Sequence, residues 1–434
     1  MEYKRFAIGV LVILLFAGVT GVSSSAPEGY SAPSILLARP GKIPDIARTN
    51  TQDVRELAPL APTWQQVNED GFGDPDASEV SALAVFSSSL YAGTSNPTDG
   101  ALILRSGDGL TWTPVIQPGF GIAHDTRPPA ILDMMVFNGR LYAGTGRGDG
   151  PGQIWRTVNG VNWAPMTSTG FSNPDTVDIT PFAEYGGWIY TGAANLVSGL
   201  QIWRSLSGDN NTWTKVSPAM PGTNASITGL AEFGGELYAA VDTGSPAQIW
   251  CSDGGAWSNV INNGFGDSLT NATGGMAEFA GYLYVGAGNV NDGAQLWRTS
   301  NGTSWAQAIE PGFGDPNNQK VELVFVFQNL LYAGVKNTQT GMELWRSTDG
   351  ATWEQANPDG FGDVDNTGSN GGNAVAEFLG DLYVGTSNVV DGGELWRLQE
   401  QQPPPPPSPS PSPSPSPPPP TPAHHYLPFI LGWP

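Results

Sequence analysis

Residues 327–363 read FQNLLYAGVKNTQTGMELWRSTDGATWEQANPDGFGD. An aromatic (Phe327) closes an apolar run, and a Leu-Tyr-Ala-Gly segment around Tyr332 follows. Next come Leu-Trp-Arg-Ser around Trp345, an Asp-Gly turn leading to Trp353, and Gly-Phe-Gly-Asp at Gly360–Asp363. Aromatic and β-branched side chains suit a half-buried pleated surface, and Gly, Asn and Asp supply the turns between such runs. No 3.6-residue apolar period crosses the stretch. It reads as short strands joined by tight turns.

The same landmarks recur on both sides. Trp64, Trp112, Trp163, Trp213, Trp257, Trp305 and Trp353 mark a period whose steps lie between 44 and 51 residues. A tyrosine column runs through Tyr91, Tyr142, Tyr190, Tyr238, Tyr284, Tyr332 and Tyr383. A near-constant period of this size marks stacked copies of one unit that cannot bury its apolar faces alone. Four strands per period match a propeller blade. The expected fold is all-β, a seven-bladed β-propeller over residues 63–400 with four-stranded antiparallel blades. The array opens on a fourth strand, Thr63–Val67, and ends on a third, Glu394–Arg397. The N-terminal strand is therefore expected to complete the last blade, covering edges that would otherwise invite aggregation.

The turn before the fourth strand carries a motif. It reads Ser106-Gly-Asp108-Gly109-Leu-Thr-Trp112 in one copy and Ser347-Thr-Asp349-Gly350-Ala-Thr-Trp353 in another. A third copy is Ser252-Asp253-Gly254-Gly255-Ala-Trp257. These hairpins resemble the Asp-box, or bacterial neuraminidase repeat, of exported bacterial propellers. Asn159 and Asn301 replace the Asp, and Ser207–Asn211 is lengthened. The resemblance implies a structural hairpin whose Asp folds back on its own turn. It also raises a sialidase-like glycoside hydrolase as the alternative function, since the resembling neuraminidases carry an arginine cluster, a Tyr–Glu pair and an Asp acid/base. Here Arg105, Arg156, Arg204, Arg298, Arg346 and Arg397 fall in one repeat column. In the ring only Arg127, Arg140 and Arg147 stand outside it. Glu184, Glu232, Glu278 and Glu377 repeat likewise and are expected to pair with the arginines. A catalytic site is one asymmetric cluster, so the repeating columns lead to the reading that the chain is not an enzyme.

Composition narrows the classes further. The 434 residues hold 40 acids against 18 bases, a net charge of −22. Nucleic acid needs a basic footprint, and that partner is excluded. Three His and one Cys leave little material for a His-based triad, a His-rich zinc site or a disulfide framework. Lys4 and Arg5, the apolar run Phe6–Val19 and the small residues after it follow the plan of a secretory signal peptide over residues 1–25. Residues 26–62 read as a linker. Residues 401–422 form a Pro/Ser-rich spacer, extended as polyproline, and 423–434 an apolar tail too short to span a bilayer. A secreted or cell-surface monomer is expected, not membrane-spanning after signal cleavage.

Chain direction places the fourth-to-first and second-to-third loops on one face. That face gathers Asn96, Asn195, Asn289, Asn337 and Asn388 with Asp99, Asp292 and Asp391. These are the candidate ligand-binding residues, because binding groups concentrate on loops held by a rigid scaffold. No cofactor is required by the sequence. Calcium is the one metal considered, at Asp363 and Asp365. Their run Asp363-Val-Asp365-Asn366-Thr367-Gly368 imitates the start of an EF-hand loop, but Ala374 stands where the twelfth-position Glu belongs. The expected function is a binding scaffold that engages a glycan or an extracellular protein through this acidic face.

Overall fold

The computed structural model describes residues 63–399, apart from 123–127, 149, 168, 219, 221, 223–224, 245 and 370–372. The expected signal peptide, linker, spacer and tail lie outside the described residues. Within them the chain is all-β: strands, tight turns and short 3-10 turns. No helix among them is long and apolar enough to cross a membrane.

The strands form antiparallel sheets in sequence order. Five sheets are four-stranded and one is eight-stranded. The larger one is two four-stranded groups, Glu79–Pro114 and Ala130–Thr167, joined by the single pair Ser95 and Ala130. The first strands are Glu79–Phe86, Ala130–Phe137, Thr176–Tyr185, Ser226–Phe233, Thr270–Phe279, Asn318–Phe327 and Val375–Phe378. The first six pack side by side in series, and Val375–Phe378 packs against Glu79–Phe86, as in a β-propeller. Second strands are buried on both faces between adjacent sheets. In Leu330–Asn337, Leu331, Ala333 and Val335 are fully buried, and so is the intervening Tyr332. That is why these strands read as continuous apolar runs without alternation.

Two devices lock one sheet to the next. The first is the tyrosine column. Gly109, Gly160, Gly208, Gly302 and Gly350 sit at positive φ in the hairpin turns, and an added Cβ would overlap the hydroxyl of Tyr383, Tyr91, Tyr142, Tyr238 and Tyr284 respectively. Each tyrosine thus tucks under the turn of the following sheet, where only glycine leaves room. The second is the phenylalanine of the Gly-Phe-Gly loop. Phe120 stacks on Trp155 at 4.0 Å and meets Trp163 edge-on at 6.1 Å. Phe171 and Phe265 repeat this with their own tryptophan pairs. These phenylalanines lie near φ +60, a costly conformation for an L residue. The tryptophan grip offsets that cost.

The expected closure by the N-terminal strand is present. Thr63–Gln66 runs antiparallel to Leu395–Gln399, with Trp64 opposite Leu398. Trp64 donates from its indole to the Ala356 carbonyl at 2.7 Å and meets Phe361 edge-on, while Phe361 stacks on Trp396. The Trp-Phe-Trp cluster of this sheet is completed across the two ends of the array.

Candidate functional site: the axial cavity

Bulges set the site. The pairing between first and second strands skips Ser81, Leu132, Thr180–Pro181, Thr228, Gly274–Gly275 and Glu322. A bulge leaves its extra residue outside the ladder and re-aims its side chain. Leu132, Thr180, Thr228, Gly274 and Glu322, with Asn373 ahead of Val375–Phe378, line a cavity of about 270 Å3 where the first strands converge. Arg147, Asp178, Ser226 and Lys320 add the polar wall. A second cavity, between the turn at residues 288–293 and residues 316–322, shares Lys320 and Glu322 with the first and is also lined by Lys336. The two form one groove that starts at the axis and continues over this pair of sheets.

The groove is charged. Arg147 forms an ion pair with the buried Glu79. Its backbone N–H also donates to Asp178 Oδ1 at 2.7 Å. Lys320 Nζ lies 3.7 Å from Asp242 Oδ2, and Lys336 Nζ lies 3.8 Å from Glu322 Oε1. Glu322 Oε2 accepts from the Ser369 N–H at 3.0 Å. Beside the bulge, Asp133 is fully buried and accepts from the Phe182 N–H at 2.5 Å. Burial raises its pKa to about 6, although hydrogen bonds from Phe182, the Asn373 side chain and Met134 pull the other way.

These charges break the repeat. Seven positions before the strand-ending aromatic stand Glu79, Ala130, Asp178, Ser226, Ala272 and Lys320. Five positions before it stand Ser81, Leu132, Thr180, Thr228, Gly274, Glu322 and Asn373. Charges withdrawn from water rarely stabilise a fold better than apolar residues of the same size. Clustered around one cavity, they make it the candidate site. Sequence reasoning missed them because it looked for chemistry in columns that repeat. The available signal was the columns that do not. In the sequence Arg147 stands out only as an arginine outside the repeat column, and its side chain pairs with Glu79.

The sequence-derived candidates lie on the loop face, where the groove also opens. Asn96, Asn195, Asn289, Asn337 and Asn388 are all buried. Each side-chain oxygen accepts from backbone N–H groups two and three residues on, as Asn96 does from Thr98 and Asp99. Four of the amides reach back to Asp74, Asp267, Asp315 and Asp363, and Asn195 reaches Thr176. These asparagines tie second-to-third loops to the Gly-Phe-Gly loops. Asp99, Asp292 and Asp391 are exposed at the loop tips. Asp363 accepts from the Asp365 N–H at 2.9 Å and from Asn388 at 3.1 Å. Among the described residues, Asp74, Asp76 and Asp99 are a group of three carboxylates close enough to share an ion.

The arginine column takes partners other than those expected. Arg156 pairs with Asp209, Arg346 with Glu354 and Arg397 with Asp381. Arg204 donates to the Tyr190 hydroxyl and the Gly254 carbonyl. Glu184, Glu232, Glu278 and Glu377 are exposed. Along the first strand the aromatic faces inward, so the residue before it faces water.

No family model matches the chain, and no curated protein does. Among solved structures it is similar to a GH74 xyloglucanase from Xanthomonas campestris, at 17% identity and a TM-score of 0.47. That match covers 76% of this chain and 54% of the xyloglucanase, so the chain spans about half its length. A PL25 ulvan lyase matches at 12% identity and a TM-score of 0.46, over 76% of this chain and 94% of its own. An α-L-arabinofuranosidase from Clostridium thermocellum matches at 14% identity and a TM-score of 0.34, over 54% of this chain and 94% of its own. The reading that the chain is not an enzyme is corrected here. The chains it resembles include glycoside hydrolases and a polysaccharide lyase.

Proposed function

We propose that the chain binds a glycan in the axial cavity and cleaves it, with Asp178 and Glu322 as the carboxylates that act on the glycosidic bond. One observation carries this reading: the residues that break the repeat converge on one cavity. Asp178 and Glu322 belong to first strands separated by two others, so a sugar on the axis would have a carboxylate on either flank. Glycoside hydrolysis uses such a pair, one as acid and the other as base or nucleophile. Thr180, Ser226, Thr228 and Asn373 offer hydroxyl and amide groups that donate to and accept from sugar hydroxyls.

The test uses the full-length protein against a broad polysaccharide panel. Release of reducing ends reports hydrolysis, and ultraviolet absorbance of unsaturated products reports elimination. Asp178→Asn and Glu322→Gln are each expected to cut turnover at least about 100-fold while melting stays unchanged. Turnover that survives both substitutions sinks the assignment.

The finer architecture belongs to the same proposal. The strand grouping supports a closed ring of seven blades, stapled by Thr63–Gln66. The hairpins support the Asp-box reading: Asp108 accepts from the Leu110 and Thr111 N–H groups, and Asn159 from Val161 and Asn162 in the same way. Export, with residues 401–422 as a stalk at the cell surface, is proposed on the composition of the two ends. The loop tips, where Val197, Val290 and Val389 are exposed, are a second surface for a glycan or an extracellular protein.

A further inference from the structure

Lys320 and Lys336 are direct partners in the ladder between Asn318–Phe327 and Leu330–Asn337. Like charges directly opposite one another destabilise a sheet. The chain has five lysines and a net charge of −22, yet two of the five meet here. Equivalent pairs in other sheets carry no such repulsion: Asp178 faces Ala194, Ser226 faces Asp242 and Ala272 faces Gly288. Packing also makes room for the arrangement. A Cβ at Gly288 would press to 3.1 Å on Lys320 Cβ.

Both lysines line the groove, and Lys320 stands where its two cavities join. Their side chains are mostly buried, at 22% and 30% exposure. Each keeps its carboxylate at 3.7 or 3.8 Å, beyond the roughly 2.7–2.9 Å of a close charge-assisted hydrogen bond. An ammonium has three donors. Both ammoniums are held loosely by their acids, and both side chains line the same groove, so each has donors to offer an incoming anion.

We propose that the groove selects an anionic sugar unit, a uronate or a sulfate ester, and seats its charged group between Lys320 and Lys336. This rests on the glycan reading above and adds the substrate class to it. An anion there relieves the lysine repulsion, and a neutral sugar does not.

The experiment is calorimetric titration of the full-length protein with three trisaccharides of equal length: trigalacturonate, a monosulfated galactotriose and neutral galactotriose. At least one anionic probe is expected to bind tenfold or more tightly than the neutral one. Which of the two binds separates carboxylate from sulfate. Lys320→Gln combined with Lys336→Gln is expected to remove the preference, and Lys320→Arg with Lys336→Arg to retain it. The Gln pair also takes the ammoniums from Asp242 and the buried Glu322, so its melting temperature is measured alongside and the Arg pair, which keeps both charges, is the control for the fold. Equal binding of neutral and anionic probes overturns the anionic assignment and leaves the glycan reading standing. A preference that persists in the Gln pair does the same. Binding of none of the three also overturns it, and the polysaccharide panel then decides whether the glycan reading falls with it.

Discussion

Asp133 shows what burial does to one carboxyl. Its pKa is raised to about 6, so between about pH 4 and pH 6 the folded chain keeps a proton that the unfolded chain has lost. Its contribution to stability is fully present below the unfolded value and is lost as pH rises through about 6. The difference at neutral pH is roughly 3 kcal/mol. Asp133→Asn keeps an acceptor for Phe182 and is expected to flatten this part of the melting-temperature profile between pH 4 and 7. Asp133→Ala orphans the Phe182 N–H and should cost a further ~1–3 kcal/mol. A profile unchanged in Asp133→Asn would show that the carboxyl does not titrate there. The asparagine column makes the opposite point. Asn337 looked like a ligand because it is polar and in a loop, yet its side chain holds Gln339, Thr340, Asn318 and Asp315. Residue type in a loop does not say whether a polar group faces solvent or its own turn.

Third strands offer an internal comparison. Gln153, Gln201, Gln248 and Gln295 accept from the indole N–H two residues on. In the last two sheets Glu343 and Glu394 do this instead. Burial raises the pKa of both glutamates, and nearby aspartates add to it, while their Asn and Trp donors lower it. A raised carboxyl favours the fold at low pH, and that share is lost as pH rises from the ordinary Glu value through the raised one. Glu343→Gln and Glu394→Gln are therefore expected to raise the melting temperature at pH 7 by on the order of a few degrees, with the gain gone at pH 4. The hairpin turn makes a sharper prediction. Gly160 is at φ +76 under the Tyr91 hydroxyl, so Gly160→Ala should cost about 2 kcal/mol or more in denaturant unfolding. Gly107→Ala, with open space around it, should stay within about 0.5 kcal/mol. Equal effects at the two positions would remove the tyrosine lock from the account.

For the molecule as a whole, closure depends on a few residues far from the rest of their sheet. Removing Thr63–Val67 bares the edge of Leu395–Gln399 and takes Trp64 from Phe361. An unpaired edge is a template for another chain. The shortened protein is expected to melt at lower temperature and to elute as oligomers in size exclusion, whereas Trp64→Ala, which keeps the strand, should cost about 3–5 kcal/mol and stay monomeric. A shortened protein with parental melting would refute closure by this strand.

Much of this architecture was legible in the chain. Strands, turns, the period and the closing N-terminal strand follow from local chemistry repeated many times: Gly160 must turn, Tyr91 and Trp163 must be buried, and each copy confirms the next. The site was not legible in that way. Glu79, Arg147, Asp178, Lys320 and Glu322 are spread over more than 240 residues and belong to no shared motif. Bulges, which shift pairing by a residue and leave no mark in the alternation of apolar positions, turn Glu322 and its counterparts toward the axis. Sequence by itself determined the repeating unit and how its ends meet, because those depend on residues near one another in each copy. Only the tertiary structure decided which charges share a cavity, because that depends on where separate sheets place single residues around a common axis.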